Sequence, residues 1–255
     1  MDSRFLPEEL LLNSMPALQT AAVGGWLVRL NGGYTYRANC VCPLRWESGE
    51  GASEKIAACE ELFRRRGTTA VFKVTPFLQP GLAGMLEKRG YEKLKTVFVM
   101  TSPLPGKIPE PAVAAERRAE SDEEWLAASA QLLGVPKGRL TDVFRANMHS
   151  IVPAAAFVSV RLGGRVVGCG YGTAERGRVG IYGLHVAQEY RCRGIGTALL
   201  AEACRFGEQN GARAAYLIVH SGNSGAIALY GHLGFRKEYE YSFYGIPGSG
   251  GITDG

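Results

Sequence analysis

Two arginines and two glycines fill the turn Arg191-Cys192-Arg193-Gly194-Ile195-Gly196, which separates an extended apolar run, Val179 to Ala187, from a helical run beginning at Thr197. This strand-to-helix turn is the strongest constraint in the chain. Glycine lets the backbone bend and lie close to a ligand. A helix N-terminus adds free N–H groups and the positive end of the peptide dipole. Such a turn is built to hold an anion of pyrophosphate type.

The elements around it form a continuous series. A proline-rich linker lies over Pro103 to Pro111, and Ser121-Asp122-Glu123-Glu124 carries the signature of a helix N-terminus. A second helix is predicted from Thr141 to His149. Ala155 to Leu162 and Arg165 to Tyr171 read as strands joined at Gly163-Gly164, and Val179 to Val186 is a third strand. After the turn, Thr197 to Gln209 is a helix stopped by Asn210-Gly211. Tyr216 to His220 is a strand, Gly225 to His232 a helix, and Lys237 to Tyr244 the last strand.

This order, with the Arg/Gly turn after the third long strand, resembles the GNAT superfamily of N-acetyltransferases. The family's acyl-CoA motif is Arg/Gln-x-x-Gly-x-Gly/Ala, matched by Arg191, Gly194 and Gly196. A second signature, Asn-x-x-Ala-x-x-Leu-Tyr-x-x-Leu-Gly-Phe, is matched by Asn223, Ala226, Leu229, Tyr230, Leu233, Gly234 and Phe235. The resemblance covers about residues 115–245. It implies an α/β (α+β) fold with a mixed, mainly antiparallel sheet flanked by helices, and acetyl-CoA as co-substrate, with no metal.

The resemblance also implies roles. Arg191, Cys192, Arg193, Gly194, Ile195, Gly196 and Thr197 would hold the coenzyme pyrophosphate. Leu184, His185 and Val186 would border the pantetheine arm, with the backbone N–H near Val186 polarising the thioester carbonyl. Asn223 is either the cap of the last helix or a coenzyme ligand, and Ala226 and Tyr230 adjoin the coenzyme. Tyr230 would protonate the departing thiolate. The base is less determined: His185 is the one side chain of its strand that titrates near neutral pH, and Tyr182 or a water chain is an alternative.

The first half reads as a faded copy, with an unrelated N-terminal domain as the simpler alternative. Gly90-Tyr91 and Gly234-Phe235 lie 144 residues apart (234 − 90), each after a short helix and before a strand. Upstream, Trp26 to Leu30 and Tyr34 to Val41 are predicted to pair across Asn31-Gly32-Gly33, followed by a helix over Ser53 to Arg66 and a strand over Ala70 to Val74. The same offset puts Glu47-Ser48-Gly49-Glu50-Gly51-Ala52 where the arginine turn stands. Acids there would repel a pyrophosphate. The expected organisation is a degenerate GNAT-like domain at 1–105 without a coenzyme site, a linker at 106–114, a working domain at 115–245 and a flexible tail at 246–255.

The 255 residues are 46% hydrophobic, enough for a real core, and the net charge is +5. That charge suits an anionic ligand, but the arginines are scattered rather than gathered on the contiguous face that nucleic acid needs. The six cysteines show no zinc-ligand spacing. No run approaches a membrane span of ~20 residues, and Met1 to Pro16 lacks the pattern of a signal peptide, so a cytoplasmic location is expected. The implied activity is N-acetyltransfer to a primary amine of a small molecule, peptide or protein, by direct attack in a ternary complex. A catalytically silent acyl-CoA sensor is the alternative. A monomer and a homodimer are both compatible with the sequence.

Overall fold

A computed structural model describes residues 6–46, 48–106 and 108–247. The described chain divides into a larger unit, residues 6–16 with 99–238, and a smaller unit, residues 17–98 with 239–247. Each has its own strands and helices. The strand order of the larger unit is β5 (Glu92–Pro103), β10 (Ala214–His220), β9 (Arg178–Val186), β8 (Arg165–Glu175), β7 (Ala154–Leu162) and β6 (Glu116–Arg118). That of the smaller unit is β1 (Gln19–Val23), β2 (Trp26–Leu30), β3 (Val41–Pro43), β4 (Phe72–Val74) and β11 (Arg236–Gly245). β5 and β11 each run from one unit into the other in sequence.

In the larger unit, β6 to β9 pair antiparallel, and β9 pairs parallel with β10. A parallel pair needs a crossover, and α6 (Ile195–Gln209) supplies it. Ile195, Ala198 and Leu199 on one face of α6 meet Val158, Val160 and Val167 of the sheet in a fully buried cluster. Three glycines set how closely α6 sits. A methyl on Gly207 would lie 2.5 Å from Val179 Cγ1, one on Gly168 2.7 Å from Ile195 Cγ2, and one on Gly196 3.2 Å from Leu229 Cδ2. The other helices are α1 (Leu6–Ser14), α4 (Glu123–Leu132), α5 (Arg139–His149) and α7 (Ser224–His232). Asp122 caps α4 by accepting the Trp125 N–H at 2.8 Å, as the sequence there anticipates.

The smaller unit packs α2 (Glu50–Arg64) and α3 (Leu82–Glu87) around Trp26, Ile56, Phe63, Phe72, Leu82 and Leu86, all buried. One expectation is corrected here. β2 does not form a hairpin with Tyr34 to Val41 across Asn31-Gly32-Gly33. Its hairpin partner is β1, joined through Gly24 and Gly25 at φ +52° and +85°. Side chains explain the difference. Asn39 accepts the Asn31 N–H at 2.8 Å through Oδ1, and Asn31 Nδ2 donates to Tyr34 O at 3.0 Å. These bonds fold residues 31–39 into turns, and the second neighbour of β2 begins only at Val41.

The 144-residue offset recurs in the backbone. α2 and α6 end alike: the Thr68 N–H bonds Phe63 O and the Ala212 N–H bonds Gly207 O, with Gly67 and Gly211 at φ +68° and +78°. The helices before the last strand of each half also end alike. Tyr91 N–H bonds Leu86 O and Phe235 N–H bonds Tyr230 O, with Gly90 and Gly234 at φ +83° and +92°. Both are glycine-terminated Schellman-type stops. Of the segments singled out above, Glu47 and the tail beyond Pro247 lie outside the described residues.

Candidate functional site

The site is built where β9 and β10 part. Their parallel register runs from Ala214 opposite Arg178 to Leu217 opposite Ile181 and goes no further, although β10 continues to His220 and β9 to Val186. Burial changes at the same point: Val179 to Tyr182 are buried, and Gly183 to Val186 are half-exposed. On the other side, β9 carries a bulge against β8. Cys169 faces His185 and Tyr171 faces Tyr182, so Gly183 and Leu184 oppose the single residue Gly170. Gly183 takes φ +58°, and the bare Gly170 leaves room for Leu184, whose Cδ2 would be 2.4 Å from a methyl there.

Alternation fixes where Val186 points. The Ala187 N–H bonds Val167 O of β8 at 2.9 Å. The backbone groups of Val186, one residue earlier, therefore face away from β8, toward the side β10 has vacated. Consistent with this, Arg191 Nε donates to Val186 O at 3.3 Å. The N–H of Val186 points into the same opening.

The turn follows at once. A 3-10 segment, Gln188–Tyr190, leads into Arg191, and Cys192 is held at φ +58°, Gly194 at φ +78°. Gly194 caps α6 without a side-chain acceptor. Its carbonyl receives the Ala198 N–H, which leaves Ile195, Gly196 and Thr197 among the donors that no earlier helical carbonyl can reach. Arg191, Cys192, Arg193 and Gly194 are exposed around these donors, and the Arg193 guanidinium lies over the Tyr190 ring at 5.5 Å. The result is an exposed anion cradle at a helix N-terminus, next to an open strand edge carrying an inward N–H.

Residues 8–244 match the family described as "Probable histone acetyltransferase Rv0428c C-terminal". The chain belongs to this family. It is an acyltransferase with a GNAT fold. An uncharacterized N-acetyltransferase of Bacillus subtilis, YobR, is 27% identical over 241 residues, covering 92% of this chain and 96% of that protein. Among solved structures, a GCN5-related N-acetyltransferase from Kribbella flavida superposes with a TM-score of 0.72 at 18% identity, covering 97% of each chain. A tandem GNAT protein from the clavulanic acid biosynthesis pathway superposes with a TM-score of 0.66 at 16% identity, over 96% of this chain and 95% of that one.

The remaining candidate site residues of this GNAT chain fall on α7 and β9. Asn223 is the N-cap of α7: its Oδ1 accepts the Ala226 N–H at 3.1 Å, so these two residues engage each other. Tyr230 is buried on α7 near Phe235, ring centres 6.2 Å apart, and burial pushes its phenol up to about 12. Leu229, its neighbour in sequence, is the residue that touches Gly196, which places α7 against the first turn of α6. His185 is half-buried on the parted stretch of β9.

Tyr182 is displaced from the role of base. It lies in the buried core beneath the opening, stacked on Tyr171 at 5.1 Å and hydrogen-bonded hydroxyl to hydroxyl with Tyr216. Burial holds its phenol well above the ordinary value, so it carries no proton-accepting form at neutral pH. Ser14 of α1 joins the same region, sharing a 2.7 Å hydroxyl bond with Thr173. This hydroxyl cluster is not legible in the sequence, since Ser14 stands 159 residues from Thr173. Nor is the partner of His220, which ends β10 and whose Nδ1 accepts the Gly222 N–H at 3.3 Å. No group of three or more His, Cys, Asp or Glu placed to hold a metal occurs among the described residues. No helix among them is long and apolar enough to cross a membrane.

Proposed function

We propose that the chain transfers an acetyl group from acetyl-CoA to a primary amine, carried by a small molecule, a peptide or a protein, by direct attack in a ternary complex. The observation that carries this reading is the parting of β9 from β10 beside the glycine cradle of α6. A pyrophosphate fits the N–H groups of residues 191–197, with Arg191 and Arg193 adding charge. The pantetheine arm, itself amide-bearing, suits the open edge Leu184-His185-Val186. The Val186 N–H then donates to the thioester oxygen and stabilises the charge that develops there.

As the C–N bond forms and the C–S bond breaks, the sulfur takes a proton from Tyr230, whose high pKa keeps the phenol protonated at neutral pH. The amine's proton passes to His185 or to a water chain. Asn223 and Ala226 hold the start of α7, and through it Tyr230, beside the coenzyme. The matching helix stops at the 144-residue offset support a tandem origin, with a degenerate N-terminal copy (1–105) that has no coenzyme site, a linker (106–114) and a working copy (115–245). The expected setting is the cytoplasm.

Calorimetric titration of acetyl-CoA tests this. Wild type should bind one molecule per chain. Arg191→Ala should bind roughly tenfold or more weakly, the loss of one charge-assisted contact of about 1.5–3 kcal/mol. Tyr230→Phe should bind normally and turn over amines slowly. No binding to wild type would overturn the reading. Two sites would overturn the degenerate copy, and binding without turnover on any amine would favour an acyl-CoA sensor.

A further inference from the structure

The two outermost strands, β6 and β1, are treated very differently. β6, at the margin of the larger unit, is Glu116-Arg117-Arg118, and its charges are engaged: Arg161 bridges Glu116 at 3.1 Å and Arg118 bridges Asp122. Charge of this kind is how natural proteins keep a sheet edge from pairing with another chain. β1, at the margin of the smaller unit, carries no such charge of its own. From Ala17 to Gly25 the sequence is Ala-Leu-Gln-Thr-Ala-Ala-Val-Gly-Gly, with no charge and no proline.

The register of β1 says which of its backbone groups are available. Val23 and Trp26 close the two-residue Gly24-Gly25 turn and so exchange ladder bonds. Counting back along the hairpin, Ala21 and Gln19 also bond inward to β2, whereas Ala22 and Thr20 turn their N–H and C=O outward. The next strand confirms the phase. Arg29, opposite Thr20, sends its N–H the other way, to Cys40 O at 3.0 Å. Leu18 N–H is already taken by Asn31 Oδ1 at 3.1 Å, which leaves Thr20 and Ala22 as the complete hydrogen-bonding set of the free edge.

We propose that this edge pairs with β1 of a second copy of the chain, antiparallel and about a two-fold axis through Ala21. The set is self-complementary in one register. Thr20 then faces Ala22 of the second copy, and Ala22 faces its Thr20, so that four backbone hydrogen bonds form and none of these groups is left unmade. The side chains allow the approach. At the axis Ala21 meets Ala21, the smallest chiral pair available. Ala21 and Val23 are half-buried against the Trp26–Ile56–Phe72 core, which would continue across the axis. Leu18, 48% exposed, comes opposite Gly24 of the second copy, which presents no side chain of its own. A shift of two residues either way would need Leu18's engaged N–H or the bent Gly24.

Sedimentation equilibrium of the full chain, over roughly 1–200 micromolar as suits a small interface, tests this. The apparent mass of wild type should rise from 27.5 kDa toward twice that value. Ala22→Pro removes an outward N–H and leaves the β1–β2 ladder intact, as edge positions permit. It should stay at the monomer mass with unchanged circular dichroism. Ala22→Lys, which adds charge without touching the backbone, should raise the dissociation constant about tenfold or more. Wild type that remains monomeric throughout, or a dimer that survives both substitutions, would overturn the proposal.

Discussion

Gly168 lies on β8 directly opposite Val186, and the first residue of α6 presses onto it. A methyl at Gly168 would sit 2.7 Å from Ile195 Cγ2 and 3.2 Å from Leu199 Cδ1, and both residues are fully buried. Ordinary carbon contacts are about 3.5–4.0 Å, so the helix start must retreat by roughly 1 Å or Ile195 must leave its rotamer. Ile195 has one strongly preferred χ1 in a helix and cannot yield cheaply. Overpacking of this kind costs about 1–3 kcal/mol, and replacing a strand glycine returns roughly 0.5–1 kcal/mol. Gly168→Ala should therefore lose about 1–2 kcal/mol in urea unfolding with the m-value unchanged. Ile195→Leu conserves volume but removes the offending branch, at a cost under about 1.5 kcal/mol. In the double variant the new methyl occupies the space of the missing one, and a favourable coupling of about 1 kcal/mol is expected. Because Ile195 follows Gly194, the single variant should also weaken acetyl-CoA binding and the double variant should recover it. A double variant destabilised by the full sum of the two single losses would refute the argument that Gly168 exists to seat α6.

Two other outcomes follow from the same geometry. Burial raises the thiols of Cys59 and Cys204 to about 12 and that of Cys169 to about 11, whereas in the unfolded chain they titrate near 9. The unfolded state therefore loses these protons first, so stability is fully present below pH 9 and falls as pH rises from 9 through 11–12. The urea midpoint should be level at neutral pH and decline above 9, and a midpoint unchanged to pH 11 would contradict it. Asn223→Ala should lower stability by about 1 kcal/mol through loss of the α7 cap, whereas Asn223→Asp, which keeps the acceptor, should restore it in thermal unfolding. Equal losses in the two variants would show that the cap is not what Asn223 contributes.

The legible part of this chain is the part whose reasons are local. A glycine-stopped helix, an Asx cap or a strand-to-helix turn is written within a dozen residues, and α4, α6, α7, β9 and β11 stand within a few residues of where the sequence puts them. The glycine turn before α6 was readable for the same reason. The parting of β9 from β10 was not readable from periodicity, because both strands continue past the point where they cease to pair. β1 was missed because Gln-Thr-Ala-Ala-Val has little apolar alternation, and the pairing of β2 was misassigned because the amides of Asn31 and Asn39 act across a loop. Tyr182 looked as available as His185 in sequence. Its contact with Tyr216, made possible by the bare Gly180, exists only in three dimensions.

β11 follows α7 in the sequence, yet Ser242, Phe243 and Tyr244 pair with Val74, Lys73 and Phe72 of the first half. The halves are thus spliced by a strand that is translated last and needed by what was translated first. A fragment ending before β11 would leave β4 with a bare margin. A nascent chain cannot complete the smaller unit until β11 has emerged. The smaller unit is thus inherited only together with the stretch of chain that separates its two parts.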